Sequence, residues 1–519
     1  MEQHLTENRN MAKSIMIQGT MSNAGKSLLV TGLCRILRQD GYRVAPFKSQ
    51  NMALNSYVTR ENLEMGRAQV VQAEACGIEP SVCMNPILLK PTTDMGSQVI
   101  VNGEVVGDMR AVDYFRKKKE YLPVIRQAYQ KLDEQYDIIV IEGAGSPAEI
   151  NLKQDDIVNM GMARLADAPV LLVGDIDRGG VFAQLVGTVM LLEKEEQDRI
   201  KGRIINKFRG DQKILEPGLS MLREKCGKPV LGVVPYLDVE IEEEDSLAES
   251  LGRREKGENI DLAVIRLPKI SNFTDFQPLL LEPSLSVRYV DRVSELGSPD
   301  VVILPGTKST MSDMRWLRES GLEAAIVRLV GAGTIVFGIC GGYQMLGTRI
   351  EDACGAEGDG SMRGMGLLPI RTVFETSKTR TRMEGRTGKL SGRFESLSDK
   401  KVSGYEIHMG SSHLTDLRSG SLIHMSSCEE NPSRNVPQEK PDGCCKGNAI
   451  GTYLHGIFDE EEFREAFVRL LHDAKGLDYT AGVSRSYREY KEKQYDRLAE
   501  ALRESLDMEQ ITRIIQEGA

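Results

Sequence analysis

The sequence has few aromatic residues and no long hydrophobic run. Aromatic residues make up 5% of its 519 residues, and there is one Trp. No stretch of about 18 uninterrupted apolar residues occurs, so neither a transmembrane helix nor a membrane partner is expected. The N-terminus also lacks the apolar centre of a signal peptide. We interpret residues 1–12 as a polar tail, and translation could equally begin at Met11.

A basic surplus is absent as well. Lys and Arg number 66 against 76 Asp and Glu, which gives a net charge of -10. A protein that binds nucleic acid through its phosphates needs a basic surface, so we predict no nucleic-acid partner. The overall charge still leaves room for a local basic pocket that binds a phosphate or a carboxylate.

The cysteines show no disulfide framework and no zinc-binding spacing. There are nine Cys, and the adjacent Cys444 and Cys445 have no CxxC motif or nearby His beside them. Thiols in a large chain without an export signal usually stay reduced, which predicts a cytoplasmic protein. Most of these cysteines are then expected to be small buried apolar residues. A functional cysteine among them has to be recognised from the residues around it.

What the sequence does contain is a regular alternation of strand and helix patterns. A chain of this length usually divides into two or three domains. In the first half, short apolar runs alternate with helical patterns such as Lys26–Arg38, which predicts a doubly wound parallel α/β sheet. The strand candidates are Ser14–Gln18, Tyr42–Pro46, Asp137–Glu142, Pro169–Gly174, Arg203–Asn206 and Pro229–Val234.

A second α/β series begins after the acidic and polar stretch at 238–259. We interpret this stretch as a linker, although a charged loop inside one domain is the alternative. Polar composition predicts loops at Ser377–Asp399 and Ser426–Lys446, and the pattern from Glu461 to Gln516 is mostly helical. The strand candidates of this series are Asp261–Ile265, Ser286–Val290, Val301–Leu304 and Thr334–Phe337.

These patterns together predict the domain organisation. An N-terminal α/β domain is expected over 13–240 and a linker over 241–259. A second α/β domain is expected over 260–460, followed by a helical C-terminal segment over 461–519. The sequence leaves assembly into a homo-oligomer open.

A phosphate-binding loop is predicted between the first strand and the first helix, in the sequence GTMSNAGKS. Its candidate nucleotide-binding residues are Gly19, Thr20, Gly25, Lys26 and Ser27. Backbone N–H groups of such a loop hold phosphates, the Lys neutralises the β- and γ-phosphates, and the Ser hydroxyl can bind Mg²⁺. A chance GKS in a βα turn is the alternative, but strand and helix stand on the correct sides. The longer spacing between the glycines resembles dethiobiotin synthetase-like proteins.

Further polar residues end the neighbouring strand candidates. Glu142 follows an apolar strand directly and is a candidate Mg²⁺ ligand, although a strand-end acid is often only a cap. Lys48 and Asn206 are candidate nucleotide-binding residues, and Asp175 and Asp177 end another strand. Because parallel strands bring their carboxyl ends to one edge of the sheet, these side chains should share the crevice with the loop.

The most specific segment is TIVFGICGGYQMLG, which contains Cys340. A strand, a thiol flanked by small residues and a helix together predict a nucleophile elbow. The helix N-terminus favours the thiolate, and the N–H that follows the Cys can bind an oxyanion. A buried structural Cys is the usual alternative, but packing alone would not need Gly338, Gly341 and Gly342 around one thiol.

An attacking thiol needs a base. His455, in GTYLHGIFD, follows a short apolar strand and is the candidate general base. His408, in GYEIHMG, is the competitor, and His413 lies close behind it. Nucleophile and base can be distant in sequence and adjacent in the fold.

The segments ICGGYQMLG and YLHGIFD resemble the Cys and His motifs of class I glutamine amidotransferases, which matches Cys340 and His455 as catalytic residues. The wider set of motifs resembles the cobyric acid synthase family, in that family's order and over about residues 14–460. These motifs are GTMSNAGKS, PFKSQNMALN, IEGAGSPAEINL, DIDRGGVFA, INKFRGD, LPKISNFTDF, PGTKST and GYEIHMG.

The resemblance implies a fold and an activity. The fold is a P-loop NTPase-like parallel sheet followed by a flavodoxin-like amidotransferase sheet. Glutamine is hydrolysed in the C-terminal domain, and the released ammonia reaches the N-terminal domain. There ATP, with Mg²⁺, activates carboxylates of a corrinoid substrate, the adenosylated cobyrinic acid a,c-diamide. Four peripheral carboxylates (b, d, e and g) become amides in cobalamin biosynthesis.

One departure from class I amidotransferases concerns the residue that orients the catalytic His. Their pattern is His-x-Glu, whereas this chain has Ile457 at the third position. Either a carboxylate elsewhere serves, or His455 forms a dyad with Cys340. Slower glutaminase chemistry is expected as a result.

Three alternatives remain at this stage. Cobyrinic acid a,c-diamide synthase shares both domains and both chemistries, and a relative that amidates cell-wall lipid precursors is another. The segments PFKSQNMALN and DIDRGGVFA favour the cobyric acid synthase family. A non-catalytic P-loop switch with an inactive glutaminase-like module is the alternative of a different class. Lys26, Ser27, Cys340 and His455 argue against it.

Overall fold

The structure is a computed structural model that describes residues 11–93, 95–242, 260–358, 360–416, 421–427, 440–479 and 486–519. The strands are β1 (Lys13–Gly19), β2 (Val44–Phe47), β3 (Gln50–Met52), β4 (Ser56–Val58), β5 (Glu64–Gly66), β6 (Ile87–Thr93), β7 (Gly96–Val101), β8 (Glu104–Arg110), β9 (Ile138–Glu142), β10 (Val170–Asp175), β11 (Ile200–Phe208), β12 (Val230–Pro235), β13 (Ile260–Ile265), β14 (Leu285–Val290), β15 (Val301–Leu304), β16 (Ile335–Ile339), β17 (Arg349–Asp352), β18 (Gly360–Arg363), β19 (Ile370–Thr387), β20 (Lys401–Leu414), β21 (Ser421–Ser427), β22 (Lys440–Lys446) and β23 (Ala449–Thr452).

Helices connect most of these strands. The α-helices are α1 (Lys26–Gln39), α2 (Arg67–Cys76), α3 (Ala111–Lys117), α4 (Leu122–Asp133), α5 (Met160–Leu165), α6 (Val181–Leu191), α7 (Lys194–Arg199), α8 (Gln212–Cys226), α9 (Val293–Leu296), α10 (Thr310–Glu319), α11 (Leu322–Gly331), α12 (Gly341–Leu346), α13 (Glu461–Lys475), α14 (Tyr487–Ser505) and α15 (Met508–Glu517). Short 3₁₀ helices lie at Val82–Met84, Lys118–Tyr121, Ile150–Asp155, Phe273–Leu281 and Gly392–Leu397.

The chain divides into two compact units. The first contains the described residues of 1–52, 65–241 and 491–519, and the second contains those of 53–64 and 242–490. The helical segment predicted over 461–519 is thus shared between the units. The residues of the predicted linker from 243 to 259 lie outside the described part of the chain.

The first unit is built on a six-stranded parallel sheet. Its strand order is β12-β11-β10-β1-β9-β2. All six strand candidates of the first half correspond to these six strands, so the predicted parallel α/β sheet is confirmed. This unit also contains a four-stranded sheet with the order β3-β6-β7-β8, which was not predicted from the sequence.

The last two helices of the chain complete the core of the first unit. Leu502 and Leu506 of the C-terminal stretch belong to the same apolar cluster as Ile15 and Leu33. The approach to α1 is close, because a Cβ on Gly32 would lie 2.2 Å from a Leu502 methyl carbon. Burial of this apolar face is what holds α14 and α15 against the sheet.

The second unit contains a mixed sheet whose parallel part has the order β14-β13-β15-β16-β23. All four strand candidates of the second series lie in this part, which confirms its α/β class. Beyond β23 the sheet continues with β22, β21, β19, β17 and β18, and β20 pairs with β19.

The loop predicted at Ser377–Asp399 is wrong over its first half, because β19 continues to Thr387. This strand is polar, and its composition hid it. It is antiparallel to β20 over a long register, from Lys378 opposite Met409 to Arg386 opposite Lys401. Backbone pairing and Thr side chains suit a strand of this kind even without an apolar face. Strands β21 and β22 also enter the second predicted loop at Ser426–Lys446, whose residues 428–439 lie outside the described part.

Among the described residues, no helix is long and apolar enough to cross a membrane.

Candidate functional site

Cys340 lies at the turn between strand β16 and helix α12. Its backbone has φ 52° and ψ -109°, a conformation that residues other than Gly rarely adopt. Such strained residues cluster at functional sites. The thiol is buried and donates to the carbonyl of Ile407 at 3.6 Å. This geometry is that of a nucleophile elbow.

The glycines around Cys340 are required by close packing. A Cβ on Gly342 would lie 1.9 Å from the carbonyl oxygen of Leu304, and one on Gly338 would lie 2.7 Å from a Leu346 methyl carbon. Both distances are too short for any side chain. The small residues therefore allow the sharp turn in which Cys340 sits.

His455 and Cys340, which are far apart in the sequence, come together in the second unit. The Cys340 N–H donates to the carbonyl of Thr452, in the strand that leads to His455, at 2.9 Å, and the two side chains lie close enough to interact. The His455 ring is fixed from two sides. It stacks on Tyr405 with ring centroids 5.3 Å apart, and a Cβ on Gly306 would lie 2.9 Å from its Cε1 atom. The imidazole is therefore held beside the thiol.

Asp275 orients this imidazole, and the sequence analysis did not identify it. Its Oδ2 atom lies 2.7 Å from Nδ1 of His455, and its Oδ1 atom accepts from the Gly456 N–H at 3.0 Å. The sequence left open whether a carboxylate elsewhere orients His455 or whether His455 forms a dyad with Cys340. The structure has a carboxylate from elsewhere in the chain. It comes from the 3₁₀ helix Phe273–Leu281 rather than from position 457.

The electrostatics favour a protonated His455. Burial lowers the pKa of His455, but the charge and hydrogen bond of Asp275, followed by the interaction with Cys340, raise it to about 10. An imidazolium beside a thiol stabilises the thiolate, which is the nucleophilic form. Since Nδ1 faces Asp275, Nε2 is the nitrogen available to the sulfur.

Two backbone N–H groups beside Cys340 are suited to bind an oxyanion. Gly341 begins α12, and a Cβ built on it would lie 3.2 Å from the Thr307 nitrogen. Neither N–H has a hydrogen-bond partner among the described residues. Asp313 fixes the Thr307 loop, because it accepts from the Thr307 hydroxyl at 2.5 Å and from the Lys269 N–H at 3.1 Å.

His408, the competing base, has a different environment. Its Nδ1–H donates to the Gly410 carbonyl at 2.9 Å, and its ring stacks on Tyr453 with centroids 3.7 Å apart. Burial, followed by the charge of Lys440, lowers the pKa of His408 to about 3. The ring is therefore neutral, and no carboxylate among the described residues bonds to it. This arrangement favours His455 as the base.

The phosphate loop of the first unit follows β1 and leads into α1. Lys26 folds back over the loop, where its Nζ atom donates to the carbonyls of Met21 at 3.1 Å and Gly145 at 3.2 Å. Burial and the nearby Lys48 lower the pKa of Lys26 to about 8, although Glu142 opposes this. An anionic phosphate would restore the full charge of this ammonium group.

Glu142 is the centre of a buried polar cluster beside the loop. Its Oε1 atom accepts from Ser27 and from Lys48, both at 2.8 Å, and its Oε2 atom accepts from Gln72 at 2.6 Å. Burial raises the pKa of Glu142, but Lys48 and these hydrogen bonds lower it overall. The structure thus brings Ser27, Lys48 and Glu142 together.

The remaining loop residues make structural contacts. The Asn206 amide donates to the Ala24 carbonyl at 2.9 Å, and a Cβ on Gly25, which has φ 93°, would lie 2.0 Å from the same amide nitrogen. The Thr20 hydroxyl donates to Gln184 at 3.0 Å. A Cβ on Gly19 would lie 3.0 Å from Lys26 Nζ. These contacts hold the loop in shape and bring Asn206 to its edge.

The residues around Ser27 suit a magnesium ion only together with a nucleotide. Within the described ranges, no group of three His, Cys, Asp or Glu side chains could hold a metal by itself. Mg²⁺ in phosphate-transfer sites is usually held by one or two protein oxygens plus phosphates and water. The oxygens of Ser27 and Glu142, 2.8 Å apart, fit that requirement.

Sequence reasoning missed Asp275 and Thr307 for the same reason. Both lie in loops whose function depends on neighbours that are distant in the chain. The segments LPKISNFTDF and PGTKST contain them, so the family motifs themselves were the available signal. Without the fold, neither segment reveals which of its polar residues belongs to the site around His455 and Cys340.

Comparisons with known proteins agree with both units. A family of CobQ/CobB/MinD/ParA nucleotide-binding domains matches residues 15–248. A family of CobB/CobQ-like glutamine amidotransferase domains matches residues 261–463. A solved glutamine amidotransferase structure covers 42% of this chain and 99% of its own at 15% identity, but its TM-score of 0.29 supports no argument.

Full-length relatives carry one description. A cobyric acid synthase from Lachnoclostridium phytofermentans is 59% identical and covers 98% of this chain and 100% of its own. One from Ruminiclostridium cellulolyticum is 57% identical over 98% of both chains. One from Caldanaerobacter subterraneus is 50% identical over 98% of this chain and 99% of its own. The chain therefore belongs to the cobyric acid synthase family of ATP-dependent ligases, which use glutamine as the nitrogen donor.

Proposed function

We propose that this chain converts the b, d, e and g carboxylates of adenosylcobyrinic acid a,c-diamide into amides, in the cytoplasm. The observation that carries the proposal is the pairing of a phosphate loop in one unit with a thiol, imidazole and carboxylate array in the other. A carboxylate does not react with ammonia at neutral pH, so ATP must first activate it, as an acyl phosphate. The second site supplies the ammonia.

In the glutaminase half, the Cys340 sulfur attacks the side-chain carbonyl carbon of glutamine. The thiol proton is held by Nε2 of His455, and Asp275 keeps that ring in position. The N–H groups of Gly341 and Thr307 stabilise the oxyanion. Collapse breaks the carbon–nitrogen bond, and His455 gives its proton to the leaving ammonia. Water then hydrolyses the thioester to glutamate and restores the thiol.

In the synthetase half, the loop backbone and Lys26 bind the phosphates of ATP. Transfer of the γ-phosphoryl group to a substrate carboxylate forms the acyl phosphate and releases ADP. Ammonia then displaces phosphate and leaves the amide. Ser27 and Glu142 would hold Mg²⁺, which neutralises charge that develops on the phosphates. The Lys48 ammonium group donates to the same Glu142 oxygen and adds a fixed positive charge beside the loop.

The direct test supplies adenosylcobyrinic acid a,c-diamide, ATP and glutamine, and follows the product by mass spectrometry. Four successive amidations are expected, with one glutamate formed for each. A parallel reaction is given cobyrinic acid in place of the a,c-diamide. Amidation of cobyrinic acid at its a and c positions, with no reaction of the a,c-diamide, would identify an a,c-diamide synthase. Ammonia release without any corrinoid product would leave the substrate assignment wrong while the glutaminase assignment stands.

Asp275→Asn should lower kcat/KM for glutamine hydrolysis by about a hundredfold to ten-thousandfold, because the amide cannot stabilise the imidazolium. Synthesis with free ammonia should be unchanged. Glutaminase kinetics beside ammonia-dependent synthesis measure both effects. Asp473→Asn, at an exposed aspartate of the same unit, is the matched control. Wild-type glutaminase rates in Asp275→Asn would mean that His455 works without an orienting carboxylate.

His455→Ala should damage glutamine hydrolysis far more than His408→Ala. General-base help is typically worth about a hundredfold to ten-thousandfold, and His455 is bonded to Asp275 and interacts with the thiol. Initial rates of ammonia release from the two variants make the comparison. The base would move to His408 if His408→Ala were the more damaged enzyme.

A further inference from the structure

Strand β20 runs past the reactive thiol and presents two polar side chains there. Glu406 and His408 flank Ile407, whose carbonyl accepts from the Cys340 thiol. Residues two apart on a strand point to the same side and are separated by about 7 Å. Both side chains are buried. They belong to no step of the mechanism above.

Each of these side chains has an acceptor atom without a hydrogen-bond partner among the residues that the structure describes. Oε2 of Glu406 accepts from Lys440 at 2.6 Å, but its Oε1 atom has no hydrogen-bond partner in the described part of the chain. Nδ1 of His408 must carry the proton because it faces the Gly410 carbonyl, so Nε2 is an acceptor. That atom is also unpartnered. Buried polar atoms of native proteins are rarely left this way.

The charges indicate what would satisfy these acceptors. Burial, and then the charge of Asp442, raise the pKa of Glu406 to about 7, which an arriving cation would reverse. His408 is neutral and can only accept at Nε2. Two buried acceptors close to a thiol that attacks an amide suit a donor cation on the same substrate. The amide substrate, glutamine, carries one such group.

We propose that Glu406, with His408 beside it, binds the α-ammonium group of glutamine. The inference rests on the proposed role of Cys340 as the glutamine nucleophile and adds the residue that selects the amino acid. Lys440 is paired with Glu406 and its side chain is 34% exposed, so a positive charge is available beside it for the α-carboxylate.

The test uses glutamine and glutaric acid monoamide, which has the same amide and carboxylate but no α-ammonium group. Wild-type kcat/KM for the monoamide should be about tenfold to a hundredfold lower, the usual range for a charged hydrogen bond. Glu406→Gln should lower kcat/KM for glutamine to the value for the monoamide, mainly through a higher KM. It should leave kcat/KM for the monoamide unchanged. Glu384→Gln, at an exposed residue of β19, should behave as wild type.

Equal wild-type efficiency with the two substrates would overturn the proposal, and this comparison needs no variant. So would a Glu406→Gln enzyme that loses both substrates equally while its ammonia-dependent synthesis is normal. Failure of the glutaminase assignment looks different. In that case wild-type protein releases no ammonia from glutamine, or Cys340→Ser releases it at the wild-type rate.

Discussion

Replacing Cys340 with serine should abolish glutamine-dependent amide synthesis and leave ammonia-dependent synthesis intact. In the proposed mechanism the sulfur bonds to the glutamine carbonyl carbon, and a serine hydroxyl beside His455 is a much poorer nucleophile. Loss of a nucleophile typically costs on the order of a thousandfold or more. The phosphate loop lies in the other compact unit, so activation of the carboxylate should continue.

The measurement is the rate of amide formation with glutamine and with an ammonium salt. Cys354→Ser is the matched control because that thiol is exposed and lies in the same unit. It should leave both rates unchanged. Full glutamine-dependent activity in Cys340→Ser would show that another residue opens the amide.

Replacing Lys26 with alanine should remove synthesis with either nitrogen source. In the proposed mechanism Lys26 is the cation that meets the transferred phosphoryl group, and ATP activates the carboxylate before ammonia is used. Loss of one group that stabilises transition-state charge typically costs about a hundredfold to a thousandfold. Glutamine hydrolysis should partly survive, because its residues belong to the second unit.

ADP formation and amide formation should be measured together in Lys26→Ala. Lys13→Ala, which changes an exposed lysine of the same unit, is the control and should keep both rates. If ammonia-dependent amidation continued at the wild-type rate in Lys26→Ala, the phosphate loop could not be the activating site.

The sequence was most informative where the pattern is local. Apolar strands such as Ile138–Glu142 and Val301–Leu304 are buried on both faces, so their composition alone marks them. The elbow around Cys340 was visible because tight turns demand glycine at fixed positions. The phosphate loop could be recognised from the sequence because the residues that form it are consecutive.

The rest depended on contacts between distant residues. Asp275 and His455 meet through the fold, and an isolated aspartate in a polar segment carries no local sign of that role. Strand β19 was missed because its stability comes from pairing with β20 rather than from an apolar face. The orphaned acceptor of Glu406 is likewise visible only once its neighbours are known.

The most direct test follows the nitrogen from glutamine hydrolysis to amide synthesis in one reaction. The protein is given glutamine labelled with ¹⁵N in its side-chain amide, ATP and adenosylcobyrinic acid a,c-diamide, in buffer that contains excess unlabelled ammonium at a pH where little of it is free ammonia. The expected product has four amides that carry ¹⁵N, and the label should be lost when Cys340 is replaced by serine. A labelled product from Cys340→Ser, or an unlabelled product from the wild type, would contradict the proposed function.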